Sequence, residues 1–176
     1  MAGGEKQVMV IGIDESEHSK YALEWTLDRF VAPYASNCPF KLFIVYARPH
    51  AASAVCLTGP GGAAGDFLPL VEADLQKTAA RVLDNARQIC ESKSVEISPV
   101  LSLQFKAVND VALEVGEGDP RYVLCEAVDK HHAAILVVGS HGYGTVKRAV
   151  LGSVSDYCAH HAHCNVMIVK KPKTKH

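Results

Sequence analysis

The segment Ile135–Ser155, with the sequence ILVVGSHGYGTVKRAVLGSVS, decides the fold assignment. It opens with four consecutive apolar residues, which predict a strand buried on both faces, and it runs directly into Gly139. Gly142 follows, and after nine further residues Gly152 and Ser153 open a segment that looks like a helix start. Open α/β sheets bind anions with such a strand, glycine loop and helix start, so this segment predicts a phosphate site.

The predicted helix start would offer free hydrogen-bond donors. Ser153 can cap the helix, and Asp156 three residues later completes a capping-box pattern. The first backbone N–H groups of a helix have no partner within it. Glycines at positions 139, 142 and 152 would let a ligand approach the backbone without meeting a Cβ atom. The unsatisfied donors would be the N–H groups of Gly152, Ser153, Val154 and Ser155.

The glycine spacing matches neither of the familiar phosphate loops, since the chain contains no GxxxxGK[ST] and this segment no GxGxxG. The pattern Gly139-x-x-Gly142-(nine residues)-Gly152-Ser153 instead resembles the ATP-binding motif of the universal stress protein family. Two other stretches agree, GIDESEHSKYALEW at 12–25 and CNVMIVK at 164–170. The chain therefore resembles the plant-type, nucleotide-binding branch of that family.

Length and composition predict one globular domain spanning residues 1–176. Apolar residues make up 48% and charged residues 21%, which is typical of a soluble protein. No apolar run is long enough to span a bilayer, and the net charge of −1 gives no case for nucleic-acid binding. The six cysteines form no CxxC pair, and the N-terminus shows no secretory signal. We therefore expect reduced thiols and a cytoplasmic protein.

Apolar runs alternate with helical periodicities along the whole chain, which predicts a parallel sheet with right-handed crossovers. The resemblance implies an α/β fold with a single open five-stranded sheet, helices on both faces and the Rossmann-like order 3-2-1-4-5. The predicted strands are Gln7–Ile13, Phe40–Tyr46, Val111–Val115, Ala134–Val138 and Asn165–Lys170. The predicted helices run from Ser16 or Ser19 to about Val31, from Val71 onward, from Arg121 to His131 with Pro120 at the first position, and from Ser153 to about His161.

Three segments lie outside this alternation. Ala51–Pro69 is rich in Ala, Gly and Pro, and we predict a long mobile loop there. Ser94–Val108 is an irregular insertion that forms either an extra edge strand or a loop, and Pro99 argues against a central strand. The basic tail at 170–176 is predicted to be a solvated terminus.

The strand order places a change of direction between the first and fourth strands, beside Asp14 and Gly139, and ligands of such sheets bind in that crevice. Asp14 would accept hydrogen bonds from adenine or ribose, or would only cap the following helix. His141 would contact phosphate or ribose, and Lys147 and Arg148 either counter phosphate charge or lie on a solvated face. Taken residue by residue, the resemblance implies a nucleotide site made of Ile13, Asp14, Ala47, Val138, Gly139, His141, Gly142, Gly152, Ser153, Val154 and Ser155.

A second cluster, Cys158, His160, His161, His163 and Cys164, has the residue types of a zinc site. On a helix, however, Cys158 faces the same side as His161 while His160 points elsewhere, so the spacing does not bring four ligands together. We therefore expect a core cysteine and exposed histidines, and no metal site.

The predicted function is that of a non-enzymatic, adenine-nucleotide-binding stress protein that acts as a switch or signalling module. ATP or AMP is the expected ligand, with Mg²⁺ or Mn²⁺ as a candidate companion. The alternatives are a slow ATPase, for which only Asp14 and His141 are candidate catalytic groups, and a redox-sensitive holdase chaperone. The resemblance also implies a homodimer formed by the edge strand through Val166, Met167, Ile168 and Val169.

Overall fold

The computed structural model describes residues 5–56, 64–93, 95, 111–141 and 151–172. Its five strands form one parallel sheet in the order β3-β2-β1-β4-β5, which confirms the predicted topology. At the centre of the sheet, Ile11 of β1 is paired with Ile44 of β2 and with Val137 of β4. The strands are β1 (Gln7–Ile13), β2 (Phe40–Arg48), β3 (Val111–Glu117), β4 (Ile135–Gly139) and β5 (Asn165–Val169).

The helices largely follow the predicted periodicities. They are α1 (Glu17–Thr26), α2 (Ala51–Cys56), α3 (Ala64–Ser92), α4 (Pro120–His131) and α5 (Ser153–His161). Ser16 caps α1, because its hydroxyl accepts the Ser19 N–H at 3.1 Å. Beyond α1 the chain continues as a π-helical turn (Leu27–Val31) and a 3-10 turn (Ala32–Asn37), so helical structure extends past the predicted end. Pro33 lies at the start of the 3-10 turn, where a missing N–H is tolerated.

The predicted loop at Ala51–Pro69 is wrong over most of its length. Ala51–Cys56 forms α2, and α3 already begins at Ala64 with Pro69 inside it. Three of the six residues of α2 are alanine, the strongest helix former. Pro69 lies near the start of α3, where a missing N–H removes few helical hydrogen bonds. Residues 57–63 lie outside the described part of the chain, as does the segment 94–108 apart from Val95.

The strand β3, which lies between α3 and α4, is longer than predicted. β3 continues through Gly116 and Glu117, so the turn before α4 is confined to Gly118 and Asp119. Gly118 has a φ of +130°, a backbone conformation that favours glycine. The Asp119 carboxylate caps α4 by accepting the Arg121 N–H at 2.9 Å.

The core has one layer on each face of the sheet. Met9, Ile11 and Leu42 point to the face covered by α1 and α3, where Trp25 packs at the margin of the core. Val10, Phe43, Val45 and Leu136 point to the opposite face, where they pack with residues of α4 and α5. Among the described helices, none is long and apolar enough to cross a membrane.

Candidate functional site

The order in which the chain adds strands to the sheet reverses between β1 and β4. The carboxyl ends of these two strands lie side by side. Ile11 is paired with Val137, so two residues further along Ile13 lies beside Gly139. Asp14 follows β1 directly, and Ser140 follows β4. The tertiary structure thus brings the ends of two predicted motifs together at the place where open α/β sheets bind ligands.

Hydrogen bonds hold Asp14 in a fixed loop before α1. Its carboxylate Oδ1 accepts the Ser16 N–H at 2.9 Å, and its own N–H donates to the Ser19 hydroxyl at 3.0 Å. The Ser19 hydroxyl lies 3.0 Å from the Asp14 carbonyl, to which it donates. Ser16 is the helix cap, so the alternative role of Asp14 as the cap of α1 is wrong. The half-buried Asp14 carboxylate is instead held at the mouth of the crevice.

Gly139 lies against the backbone of the first turn of α1. A Cβ atom at Gly139 would be 2.8 Å from the His18 carbonyl carbon and 2.9 Å from its oxygen, and 3.0 Å from the Ser19 nitrogen. Real Cβ atoms do not approach backbone atoms so closely. Glycine is therefore required here for packing of β4 against α1, a reason that the motif alone did not reveal.

Ser140 connects the end of β4 with the start of α5. Its N–H donates to the Val169 carbonyl at 2.9 Å, and its carbonyl accepts the Gly152 N–H at 2.8 Å. The Ser155 hydroxyl donates to the Gly152 carbonyl at 2.9 Å, with the Ser140 carbonyl 3.3 Å away. Both serine side chains are buried. The start of α5 is therefore attached to the sheet at the crevice, although residues 142–150 between them lie outside the described residues.

The predicted capping box of α5 is wrong by one residue. Gly152 is the N-cap, with φ −74° and ψ 156°, and Ser153 is the first helical residue, with an exposed side chain. The Asp156 N–H donates to the Gly152 carbonyl at 2.9 Å, as expected within a helix. Gly152 has no side chain with which to cap the helix, and no side-chain cap is present among the described residues. The Gly152 N–H, also predicted to be a free donor, donates to the Ser140 carbonyl, so that part of the prediction is wrong. The first N–H groups of a helix, here those of Ser153, Val154 and Ser155, have no acceptor within the helix itself. These donors and the helix dipole favour an anion.

The other predicted site residues differ in their burial and in whether the structure describes them. Ile13 and Val138 are buried, and Ala47 is half-buried one residue beyond Tyr46, which is paired with Ile13. Val154 packs at the margin of the core between α4 and α5. Gly142, Lys147 and Arg148 lie outside the described residues, so their predicted roles stay predictions.

A histidine that the sequence analysis had not selected lies beside His141. His18, in the first turn of α1, meets the His141 ring edge to face, with ring centroids 5.2 Å apart. Burial lowers the pKa of His18, and the neighbouring His141 and Lys171 lower it further. The only available signal in the sequence was its position four residues after Asp14, and nothing there indicated a partner so distant in the chain.

The cysteine and histidine cluster has the predicted exposure pattern. Cys158 is fully buried, whereas His160, His161 and His163 are exposed. Burial raises the pKa of the Cys158 thiol to about 12, beside the Cys125 and Cys164 thiols. Within the described ranges, no three His, Cys, Asp or Glu side chains are placed to hold a metal ion together.

Residues 6–170 match the sequence model of the universal stress protein family. The chain belongs to the universal stress protein family. It is 43% identical over 158 residues to a universal stress protein A-like protein of Arabidopsis thaliana, a match covering 86% of this chain and 78% of the relative. It is also 25% identical to universal stress protein PHOS32 of the same plant over 96% of this chain, but it spans only 66% of that longer relative.

Solved universal stress proteins share this fold. UspA from Lactobacillus plantarum superposes with a TM-score of 0.68 at 19% identity, covering 95% of this chain and 99% of that one. An Arabidopsis thaliana family member with AMP bound gives a TM-score of 0.58 at 20% identity, covering 96% and 94%. A universal stress protein in complex with cAMP gives 0.60 at 22% identity, covering 94% and 98%.

Proposed function

We propose that this universal stress protein binds an adenine nucleotide, ATP or AMP, and acts as a non-enzymatic switch or signalling module. The observation that carries the proposal is the start of α5, where the N-cap Gly152 has no side chain to cap the helix. Ser140 attaches this helix start to the carboxyl end of β4, beside Asp14. Two structural neighbours, one with AMP and one with cAMP, support the nucleotide as the ligand class. The proposed location is the cytoplasm.

In the proposed complex, the phosphates accept hydrogen bonds from the N–H groups of Ser153, Val154 and Ser155, which have no acceptor within the helix itself. The base lies over the ends of β1 and β2, where Asp14 and the backbone at Ala47 are within one strand spacing of each other. Ile13 and Val138 are buried near the carboxyl ends of β1 and β4, which border this crevice. Gly139, His141 and Gly142 complete the loop that would surround the phosphates.

A direct experiment is to identify, by mass spectrometry, any nucleotide that copurifies with the protein, and then to incubate the protein with radiolabelled ATP with and without Mg²⁺ or Mn²⁺. Intact bound nucleotide supports the proposed switch. Steady, metal-dependent release of ADP would indicate the ATPase alternative. If no nucleotide associates under any condition, the proposal is wrong, and a nucleotide-independent role such as a holdase takes its place.

We expect Asp14→Ala to weaken ATP binding by about 1–3 kcal/mol, roughly tenfold or more, because the base loses an acceptor in a partly desolvated crevice. Inorganic triphosphate, which has no base, should bind almost as before. Calorimetric titration of both ligands makes the comparison. Asp14→Asn is the matched control for loop structure, since an amide oxygen can still accept the Ser16 N–H. Equal losses for ATP and triphosphate would show that Asp14 does not bind the base.

We also propose that the protein is a homodimer joined through β5. Within the described sheet β5 is an edge strand, paired only with β4. Val166, Met167 and Ile168 are half-buried in the single chain. Antiparallel pairing of two β5 strands across a two-fold axis would cover this edge and close at the dimer.

The direction of the backbone hydrogen bonds of β5 decides which substitution tests the dimer. Asn165 donates to the Ala134 carbonyl and the Val169 carbonyl accepts the Ser140 N–H, so these residues direct their backbone groups toward β4. Because alternate residues of a strand face opposite neighbours, Met167 also faces β4, and Ile168 faces the open edge. Proline at Met167 would therefore damage the sheet itself, whereas proline at Ile168 would remove only an outward N–H.

We expect Ile168→Pro to convert a dimer into a folded monomer, as measured by sedimentation. Val115→Pro is the matched control at the opposite edge. The Gly118 N–H donates to the Arg48 carbonyl, and by the same alternation the N–H of Val115 points away from β2. This control should remain dimeric. A native protein that is monomeric at high micromolar concentration, or an Ile168→Pro variant that stays dimeric, would contradict the β5 interface.

A further inference from the structure

We propose that His18 and His141 together bind a phosphate group of the nucleotide, and that this histidine pair takes up one proton as the nucleotide binds. This inference rests on the proposed function, and it adds His18 to the site together with a dependence of binding on pH. It is carried by the geometry of the pair, by an unsatisfied ring nitrogen and by the charges around the two rings.

The pair lies next to the start of α5. His18 and His141 meet edge to face, with ring centroids 5.2 Å apart and an interplanar angle of 85°. The Ser140 hydroxyl is 3.5 Å from Nδ1 of His18, and the Ser140 carbonyl accepts the Gly152 N–H at 2.8 Å. One buried serine thus links the histidine pair to the N-cap of α5. A phosphate held by the first turn of α5 would lie within reach of imidazole N–H donors.

The pair has polar atoms that need a partner. Nδ1 of His141 is buried and makes no hydrogen bond within the part of the chain that the structure describes. Among the described residues, the contact of Nδ1 of His18 is a distant one with the Ser140 hydroxyl, at the limit of hydrogen-bond length. Buried polar atoms in folded proteins are nearly always satisfied, so an unpartnered nitrogen calls for an acceptor or donor from outside. A phosphate oxygen would accept from the N–H of either ring.

Charged groups on four described segments around His18 act on its pKa. His141 in the loop after β4 and Lys171 after β5 oppose a positive charge on His18, whereas Asp14 before α1 and Glu17 on α1 favour it. Burial has the largest effect, and the net result is a lowered pKa, so His18 is neutral near pH 7 in the free protein.

A phosphate beside the rings reverses this balance. Its negative charge favours the imidazolium form and raises the pKa of His18 in the complex, so a proton from the buffer binds to the ring together with the nucleotide. The complex then holds one proton more than the free protein. By linkage, affinity must rise as the pH falls between the bound-state pKa and the lower free-state pKa, and must be flat above both. Nucleotide retention would thus be coupled to acidification.

The test is an NMR pH titration of the imidazole signals of the isotope-labelled full chain, with and without saturating AMP. We expect the pKa of His18 to rise by about one pH unit or more when AMP is bound, while that of the exposed His160 at the far end of α5 stays the same. Adenosine, which has no phosphate, should cause no such rise. An unchanged pKa of both His18 and His141 in the AMP complex would overturn the proposal.

Calorimetry of the variants provides a second measurement. Wild-type affinity for AMP is expected to increase about tenfold from about pH 8 to about pH 6. His18→Asn should lose most of this increase, and His160→Asn should keep it; the ionisation of AMP itself is common to all three and cancels in the comparison. Binding with the same pH dependence in all three proteins would contradict the histidine pair and leave the proposed function intact. No binding of AMP or ATP at any pH would contradict the proposed function itself.

Discussion

Gly152→Val is expected to abolish nucleotide binding while the protein stays folded. In the proposed complex, phosphate oxygens approach the N–H groups of Ser153 and Val154, and a branched side chain at the N-cap would stand in their way. Loss of two charge-assisted hydrogen bonds at about 1.5–3 kcal/mol each lowers the affinity more than about a hundredfold. The backbone of Gly152 has φ −74° and ψ 156°, which any residue can adopt. Valine should therefore cost only about 1 kcal/mol of stability as a poorer N-cap.

Calorimetric titration with ATP measures the loss, and circular dichroism confirms the fold. Ala159→Val is the matched control, because it places the same side chain at an exposed position of the same helix, away from the N-terminus. That variant should bind ATP like the native protein. If folded Gly152→Val protein also bound ATP normally, the start of α5 would not be the phosphate site.

Gly139→Ala should destabilise the fold strongly, although it adds a single methyl group. The new Cβ would lie 2.8 Å from the His18 carbonyl carbon and 3.0 Å from the Ser19 nitrogen, and both belong to a helix backbone that cannot rotate away. Either α1 or the end of β4 has to move. We expect a loss of about 3 kcal/mol, at the upper end of the usual cost of overpacking, and a fall in Tm of about 6–12 °C for a chain of this size.

Thermal and urea unfolding of the two proteins measure this loss. Gly152→Ala is the control for replacing a loop glycine of the same motif, and it should lower Tm much less because its backbone conformation suits alanine. Equal melting temperatures for Gly139→Ala and the native protein would show that α1 and β4 are not packed as closely as described. The two variants would thus separate the packing role of Gly139 from the role in ligand access that we propose for Gly152.

Local patterns in the sequence were sufficient for most of the fold. Continuous apolar runs such as Gln7–Ile13 indicate strands buried on both faces, and their alternation with helices predicts a parallel sheet. The family resemblance supplied the strand order, which the structure confirms. The prediction of a loop at Ala51–Pro69 was wrong, because glycine and proline are typical of loops but do not exclude a helix. The structure has α2 and the first turns of α3 in this segment.

The candidate site was predictable only in outline. The glycine motif and Asp14 were located by sequence, and the structure places their described parts at one crevice. The helix cap was misplaced by one residue, since Ser153 and Gly152 both suit an N-cap locally. The bond from the Gly152 N–H to the Ser140 carbonyl decides between them, and that contact joins residues separated by a long loop.

The sequence by itself determined which segments become strands and helices, because burial on both faces and helical periodicity are properties of neighbouring residues. Tertiary structure alone decided the contact of Gly139 with α1, the pairing of His18 with His141 and the direction in which each residue of β5 turns its backbone groups. Each of these depends on the register and distance between segments far apart in the chain. No local pattern encodes such distances, since they arise only when the two faces of the sheet are packed at the same time.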